Sequence, residues 1–243
     1  MPLDALFFLA AFLAEVIGTM AGFGSSTVFL PLALLFVDFP TALVLVAILH
    51  ISGNIGRITF FRHGLDTGLI LRFGIPSVIA TLAGALLVSH LPQAALRGVL
   101  GVFLVCYAAM SLAKPGLKFA PTKTNCIAGG SLSGFFAGLI GTGGALRGAF
   151  LTAFSLKKEV YIATAAAIAL AVDLTRIPVY LAGGFLQEQY YAAIPLLFII
   201  ALAGSFTGRK IVGRIDQKTF RKLVLAAVLL AGAKLAVDGL GGL

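Results

Sequence analysis

The 243-residue chain has no tryptophan, two cysteines and only nine aspartates and glutamates. Too few of these carboxylates fall within the apolar runs to build a multivalent-cation cage. The three histidines are scattered at positions 50, 63 and 90. No metal-binding pair, and no convergent acid, base and nucleophile set of an intramembrane enzyme, is visible, and no cofactor is called for. Cys106 and Cys126 lie in apolar runs without metal-ligand spacing and read as free buried thiols. Without tryptophan, any aromatic belt at a membrane surface must use Tyr and Phe.

Charge is scarce as well, at 11% of residues, against 60% hydrophobic residues and a mean hydropathy of +1.07. A soluble domain is about half apolar, and here charge-free runs of spanning length recur. The composition predicts an all-α polytopic membrane protein. The opening M-P-L-D-A-L-F-F has Asp4 where a cleaved signal would carry basic residues, so the first apolar run is expected to be retained.

The net charge of +9 does not point to nucleic acid, because the basic residues sit mainly in short loops, where they orient the chain and meet anionic lipid. Cutting at charges, Gly and Pro predicts ten helical segments. They are Ala5 to Ala21, Ser26 to Val37, Thr41 to Phe61, Gly68 to Ser89, Gln93 to Ala113, Asn125 to Ile140, Ala145 to Leu156, Val160 to Ala182, Tyr190 to Thr207 and Gln217 to Leu235. Arg62 and His63, the Lys114 to Lys123 linker, Lys157 and Lys158, and Arg209 to Lys218 fall on alternate connections. Asp38, His90 and Glu188 fall on the others. The basic set is expected in the cytoplasm and both termini outside.

The chain is also an internal duplication. Gly22 and Gly24 align with Gly141 and Gly143 (141 − 22 = 119; 143 − 24 = 119). Asn54, Arg57 and Pro76 fall on Asp173, Arg176 and Pro195 at the same offset. The expected organisation is a first transmembrane repeat over 1–113, a cytoplasmic linker over 114–123 and a second repeat over 124–243, forming one membrane domain. Equivalent loops have opposite character, Asp38 against Lys157, so the five-segment repeats should be inverted. In each copy a Gly-rich patch breaks an apolar run and leaves a piece of about a dozen residues, too short to span alone. Such breaks at matching places point to a transporter's binding site, although small residues also serve close helix packing. Eight to ten transmembrane segments are expected, each broken pair either spanning or re-entering.

The patches Gly22, Gly24, Ser25, Ser26 and Gly141, Thr142, Gly143, Gly144 would expose N–H groups and hydroxyls at the start of a short helix, which suits an anion. Arg147 lies about one turn further on, in an apolar run where arginine costs about 2.5 to 3.5 kcal/mol. Its compensation is either a substrate anion or Glu15. Asn54 with Arg57, and Asp173 with Arg176, are spaced i, i+3 and share a helix face. Asp173 and Arg176 can neutralise each other; Arg57 has only a neutral Asn at the matching place and reads as a snorkelling residue or an anion-collecting mouth. Glu15 and His50 are the proton-coupling candidates, since burial and neighbours tune both groups. The bland reading makes Glu15 half of an ion pair and His50 a satisfied polar contact.

With G-x-G-S-S and Pro31 in the first repeat, G-T-G-G-A-L-R-G in the second, Y-I-A-T-A at Tyr161 to Ala165 and D-L-T-R at Asp173 to Arg176, the chain resembles the sulfite exporter TauE/SafE family, within the toluenesulfonate uptake permease superfamily. The resemblance covers nearly the whole length; Ser25 and Ser26 depart from the family's commoner G-G-G run. It implies a secondary transporter of small sulfur-containing anions such as sulfite or organosulfonates, often an exporter, in a bacterial-type plasma (inner) membrane. The partners implied are a small anion and the lipid bilayer, with a homo-oligomer allowed. A transport-free membrane assembly factor is the alternative alongside the enzyme.

Overall fold

The computed structural model describes residues 3–21, 24–114, 118–211 and 216–241, so Gly22, part of the linker and Arg214 lie outside the described residues. Ten α-helices follow one another among the described residues: α1 Ala5–Ala21, α2 Ser26–Ala33, α3 Phe39–Phe61, α4 Thr67–Leu87, α5 Gln93–Ala113, α6 Lys123–Ile140, α7 Gly144–Ala153, α8 Lys158–Ala182, α9 Ala193–Ile211 and α10 Gln217–Gly241. No strand occurs among the described residues. Helix starts are written locally. The Asp38, Asp66 and Thr122 side chains accept the N–H groups of Thr41, Leu69 and Asn125 at 3.1, 2.9 and 3.2 Å, satisfying donors that have no partner within the helix.

Against the eight to ten expected segments, six stretches among the described residues have the length and apolarity of a span: Phe39–Gly64, Thr67–His90, Gln93–Ala113, Lys158–Ala182, Glu188–Ile211 and Lys218–Gly241. The other four helices form two hairpins. Phe7 of α1 packs on Phe29 and Phe36, with ring centroids 5.4 and 5.6 Å away, and Gly18 lies against the backbone of Ser25. In the second hairpin Gly143 abuts the Ser133 carbonyl and Gly129 abuts the Phe150 ring. The Phe119 N–H donates to the Ala153 carbonyl at 3.0 Å where that hairpin opens. The physical reason is length: α2 and α7 have 8 and 10 residues, roughly 12 and 15 Å, about half a bilayer core.

Glycines allow the reversal. Gly24 and Gly141 have φ of +87° and +73°, a region that side chains other than glycine's seldom occupy. Gly141 ends α6 and returns its N–H to the Ala137 carbonyl at 3.1 Å. The tips meet, Thr27 and Thr142 sharing a hydroxyl hydrogen bond of 2.9 Å.

Around the tips the helices pack in matched pairs: α1 with α9 and α6 with α4, α3 with α9 and α8 with α4, α3 with α8, α5 with α10. Exchanging each helix for the one five places on returns the same set. α3 and α8 run antiparallel, since Thr41 Oγ1 donates to the Phe185 carbonyl at one end and Gly64 abuts Glu159 at the other. α4 and α6 run parallel in close contact, with Gly130, Gly134 and Gly138 against the Phe73, Ser77 and Thr81 carbonyls. The Ser77 and Thr81 hydroxyls donate to the Gly130 and Gly134 carbonyls at 3.0 Å, the small-residue packing available where lipid supplies no hydrophobic drive. Apolar side chains such as Ile79, Leu230 and Val237 remain 66–72% exposed on the outside, as a lipid-facing surface requires. The chain is a multi-pass membrane protein.

Candidate functional site

Between the hairpin tips and the end of the molecule that carries Phe61, Lys158 and Arg209 lies a cavity of about 630 Å³. Its deep end is formed by Gly24, His50, Gly144 and Arg147, and Asn54 and Arg57 come from the next turns of α3. Toward the opposite end the space is filled by Phe7, Phe29, Leu30, Leu43, Ile140 and Tyr180, all with no exposed surface. The exposed residues of the lining put its mouth on the side with the basic loops. Lys158 and Arg209 are exposed at the mouth, and Arg209 lies over the Phe60 and Phe61 rings at 4.9 and 5.7 Å.

Among the described residues the wall contains four cations, Arg57, Arg147, Lys158 and Arg209, and no carboxylate. They are not equivalent. Arg57 is 9% exposed and fully engaged: it donates to Asn54 Oδ1 at 2.8 Å, to Thr19 Oγ1 at 3.0 Å and to Glu15 Oε1 in a buried ion pair. Ser205 of α9 adds a 2.7 Å hydrogen bond to the same carboxylate oxygen. Arg57 thus differs from its sequence reading as a cation opposite a neutral Asn alone, because its carboxylate arrives from α1, 42 positions away.

Glu15 is accordingly not the partner of Arg147. The Arg147 guanidinium, 5% exposed, forms no ion pair or hydrogen bond among the described residues, and its Nε is buried without a partner. α7 carries it inward from Gly144, beside the tip. Three further polar atoms there are also buried and unpartnered: Ser25 Oγ, His50 Nε2 and Asn54 Nδ2. Buried polar atoms without partners are exceptional, and a cluster of them beside a cavity is the arrangement that a polar ligand completes.

Asp173 and Arg176 pair as their spacing suggested, at 2.7 Å, but neither lines the cavity. Arg176 Nη1 donates to the Ala137 carbonyl at 2.8 Å, and the Tyr180 hydroxyl donates to the Gly138 carbonyl. Arg176 thus gives the Ala137 carbonyl a second donor beside the Gly141 N–H, and Tyr180 supplies a donor to the Gly138 carbonyl near the end of α6. Gly141, Thr142, Gly143 and Ser26 shape the meeting tips and are buried there, away from the cavity wall. Thr19, Lys158, Tyr161 and Arg209 line the cavity without having been singled out from the sequence. Of these only Tyr161 has a signal in the sequence, as the first residue of Y-I-A-T-A; by sequence the two cations are loop charges like their neighbours.

Residues 7–235 match the family described as Sulfite exporter TauE/SafE. No curated protein and no solved structure matches the chain. The match spans both hairpins, both ion-pair clusters and the whole cavity wall, and its family comprises membrane transporters rather than enzymes. This chain belongs to the sulfite exporter TauE/SafE family, whose members carry sulfite- and sulfonate-type anions across membranes.

Proposed function

We propose that this protein is a secondary transporter that exports small oxyanions, sulfite or organosulfonates, from the cytoplasm by alternating access between two inverted repeats, 1–113 and 124–243. The observation that carries the reading is the carboxylate-free cationic wall with the unpaired Arg147 at its deep end. Cations lining a low-dielectric cleft concentrate anions from solution, and the buried guanidinium gains there the partner that the fold withholds.

The packing that survives exchange of α1–α5 with α6–α10, and the antiparallel run of α3 and α8, support the inverted repeats. On this reading the hairpins enter from opposite sides and their tips meet at the substrate, as broken helices do in transporters built this way. The mouth at Lys158 and Arg209 faces the cytoplasm of a bacterial-type plasma membrane by the positive-inside rule, with both termini outside. The structure then corresponds to the inward-facing state. Gradients set the net direction of transport, and the basic mouth favours capture from within.

The reading is tested by counterflow of labelled sulfite in proteoliposomes. Uptake driven by internal unlabelled sulfite, and absent from protein-free liposomes, is expected. Protein-independent flux would contradict the reading.

A further inference from the structure

His50 is 3% exposed, where α3 passes the tip of the first hairpin. Its Nδ1 lies 2.8 Å from Asp173 Oδ2, and since an ionised carboxylate only accepts, Nδ1 carries the hydrogen. Asp173 is itself held through Oδ1 by Arg176, at 2.7 and 2.9 Å. The ring is therefore fixed, with Nε2 buried, unpartnered and directed to the cavity beside Gly24. A β-carbon at position 24 would stand 2.9 Å from it.

In the neutral ring Nε2 offers a lone pair, the wrong polarity for an oxyanion. One added proton converts it to a donor and places a positive charge there. The charged and titratable groups around it are Asp173 and Arg176 of α8, Arg147 of α7, Arg57 of α3 itself and Glu15 of α1 behind Arg57, with Tyr161 of α8 further along the wall. Each carboxylate is matched by one arginine, Asp173 by Arg176 and Glu15 by Arg57. Arg147 remains as the unmatched charge. A proton on His50 would share Asp173 with Arg176 and give the site a second net positive charge, which an anion between His50 and Arg147 offsets. Glu15 Oε2 is also buried without a partner, but Glu15 lies off the cavity wall, and its Oε1 is held by Arg57, Thr19 and Ser205, so an anion in the cavity meets His50 and not Glu15.

We infer that His50 is the residue at which proton and anion binding are coupled: a proton joins Nε2 as the anion binds between His50 and Arg147, and the two leave together. The inference rests on the anion-transport reading above and adds to it the coupling ion and its carrier. Binding and protonation must strengthen each other equally. Where free His50 is neutral, the apparent affinity for an anion of fixed charge should fall about tenfold per pH unit of rise.

Calorimetry of sulfite and methanesulfonate binding to the purified protein, in buffers of different ionisation enthalpy, counts the protons taken up. Wild type is expected to take up about one more proton per anion than His50→Gln, any proton brought by sulfite itself being common to both. Equal uptake in the two proteins overturns the inference and leaves the anion reading standing. Failure of wild type to bind either anion overturns the anion reading itself. A readout that does not depend on the variant is the imidazole spectrum of wild type labelled with ¹⁵N-histidine, in which His63 and His90 are exposed and identified by their own substitution. Sulfite should move His50 Nε2 to the protonated position at neutral pH, and an unmoved resonance with sulfite bound overturns the inference.

Discussion

At the scale of the residue, the buried charges among the described residues divide into those the fold pairs and Arg147, which it leaves without an ion pair. Glu15 has no exposed surface and Arg57 almost none, so removing one partner strands the other in a medium that cannot solvate it. Such breaks cost about 3 to 5 kcal/mol. Glu15→Gln is expected to lower the apparent melting temperature in detergent sharply, and joint Glu15→Leu with Arg57→Met to restore much of it. A double variant as unstable as the single one would show that the pair holds more than its own charge. The spacing of Asn54 and Arg57 revealed a shared helix face, but no local pattern could reveal that the carboxylate comes from α1. Arg147 was legible for the opposite reason, since a lone arginine in an apolar run already states the problem that its surroundings must solve. His50 was legible only as an intramembrane histidine; its Asp173 partner lies 123 positions away and required the tertiary pairing of α3 with α8.

At the scale of the element, glycine serves two purposes. Gly24 and Gly141 turn the chain at the hairpin tips, where φ is positive. Gly130, Gly134 and Gly138 let α6 lie directly on α4. A β-carbon on Gly134 would stand 2.1 Å from the Ser77 carbonyl oxygen, whereas Gly241 has open space. Gly134→Ala should therefore cost about 1 to 3 kcal/mol through forced separation of the helices, seen as a lower melting temperature, with Gly241→Ala close to wild type. Equal stability of the two variants would remove close packing from the account. The ten helices, the breaks and their offset of 119 residues were readable because apolar runs, charges and glycines mark helix boundaries directly. Whether each broken run continues through the bilayer or folds back was not readable. Both outcomes need the same glycines, and contacts such as Phe7 on Phe36 and Gly143 on Ser133, which lay the two arms of each hairpin together, have no local signature.

At the scale of the whole molecule, the hairpins do not alter the sidedness argument, because a hairpin returns the chain to the side it left. In a variant whose Cys106 and Cys126 are replaced, single cysteines at Lys118 and Lys210 should be protected from impermeant reagents in intact cells, and one at Glu188 should label. Labelling at Lys118 from outside would invert the proposed orientation and turn the cavity away from the cytoplasm. The cavity opens at the end where Lys158 and Arg209 stand, so orientation and polarity of capture stand or fall together.

The central claim is that the unpaired Arg147 recognises the transported anion. A charge-assisted hydrogen bond is worth about 1.5 to 3 kcal/mol, roughly a tenfold to hundredfold change in apparent affinity. The most direct measurement is sulfite counterflow in proteoliposomes with Arg147→Ala and Arg147→Lys, normalised to folded protein by melting temperature and gel filtration. The account predicts loss of counterflow in Arg147→Ala at wild-type stability or above, with partial recovery in Arg147→Lys. Counterflow per folded molecule unchanged in Arg147→Ala would contradict it.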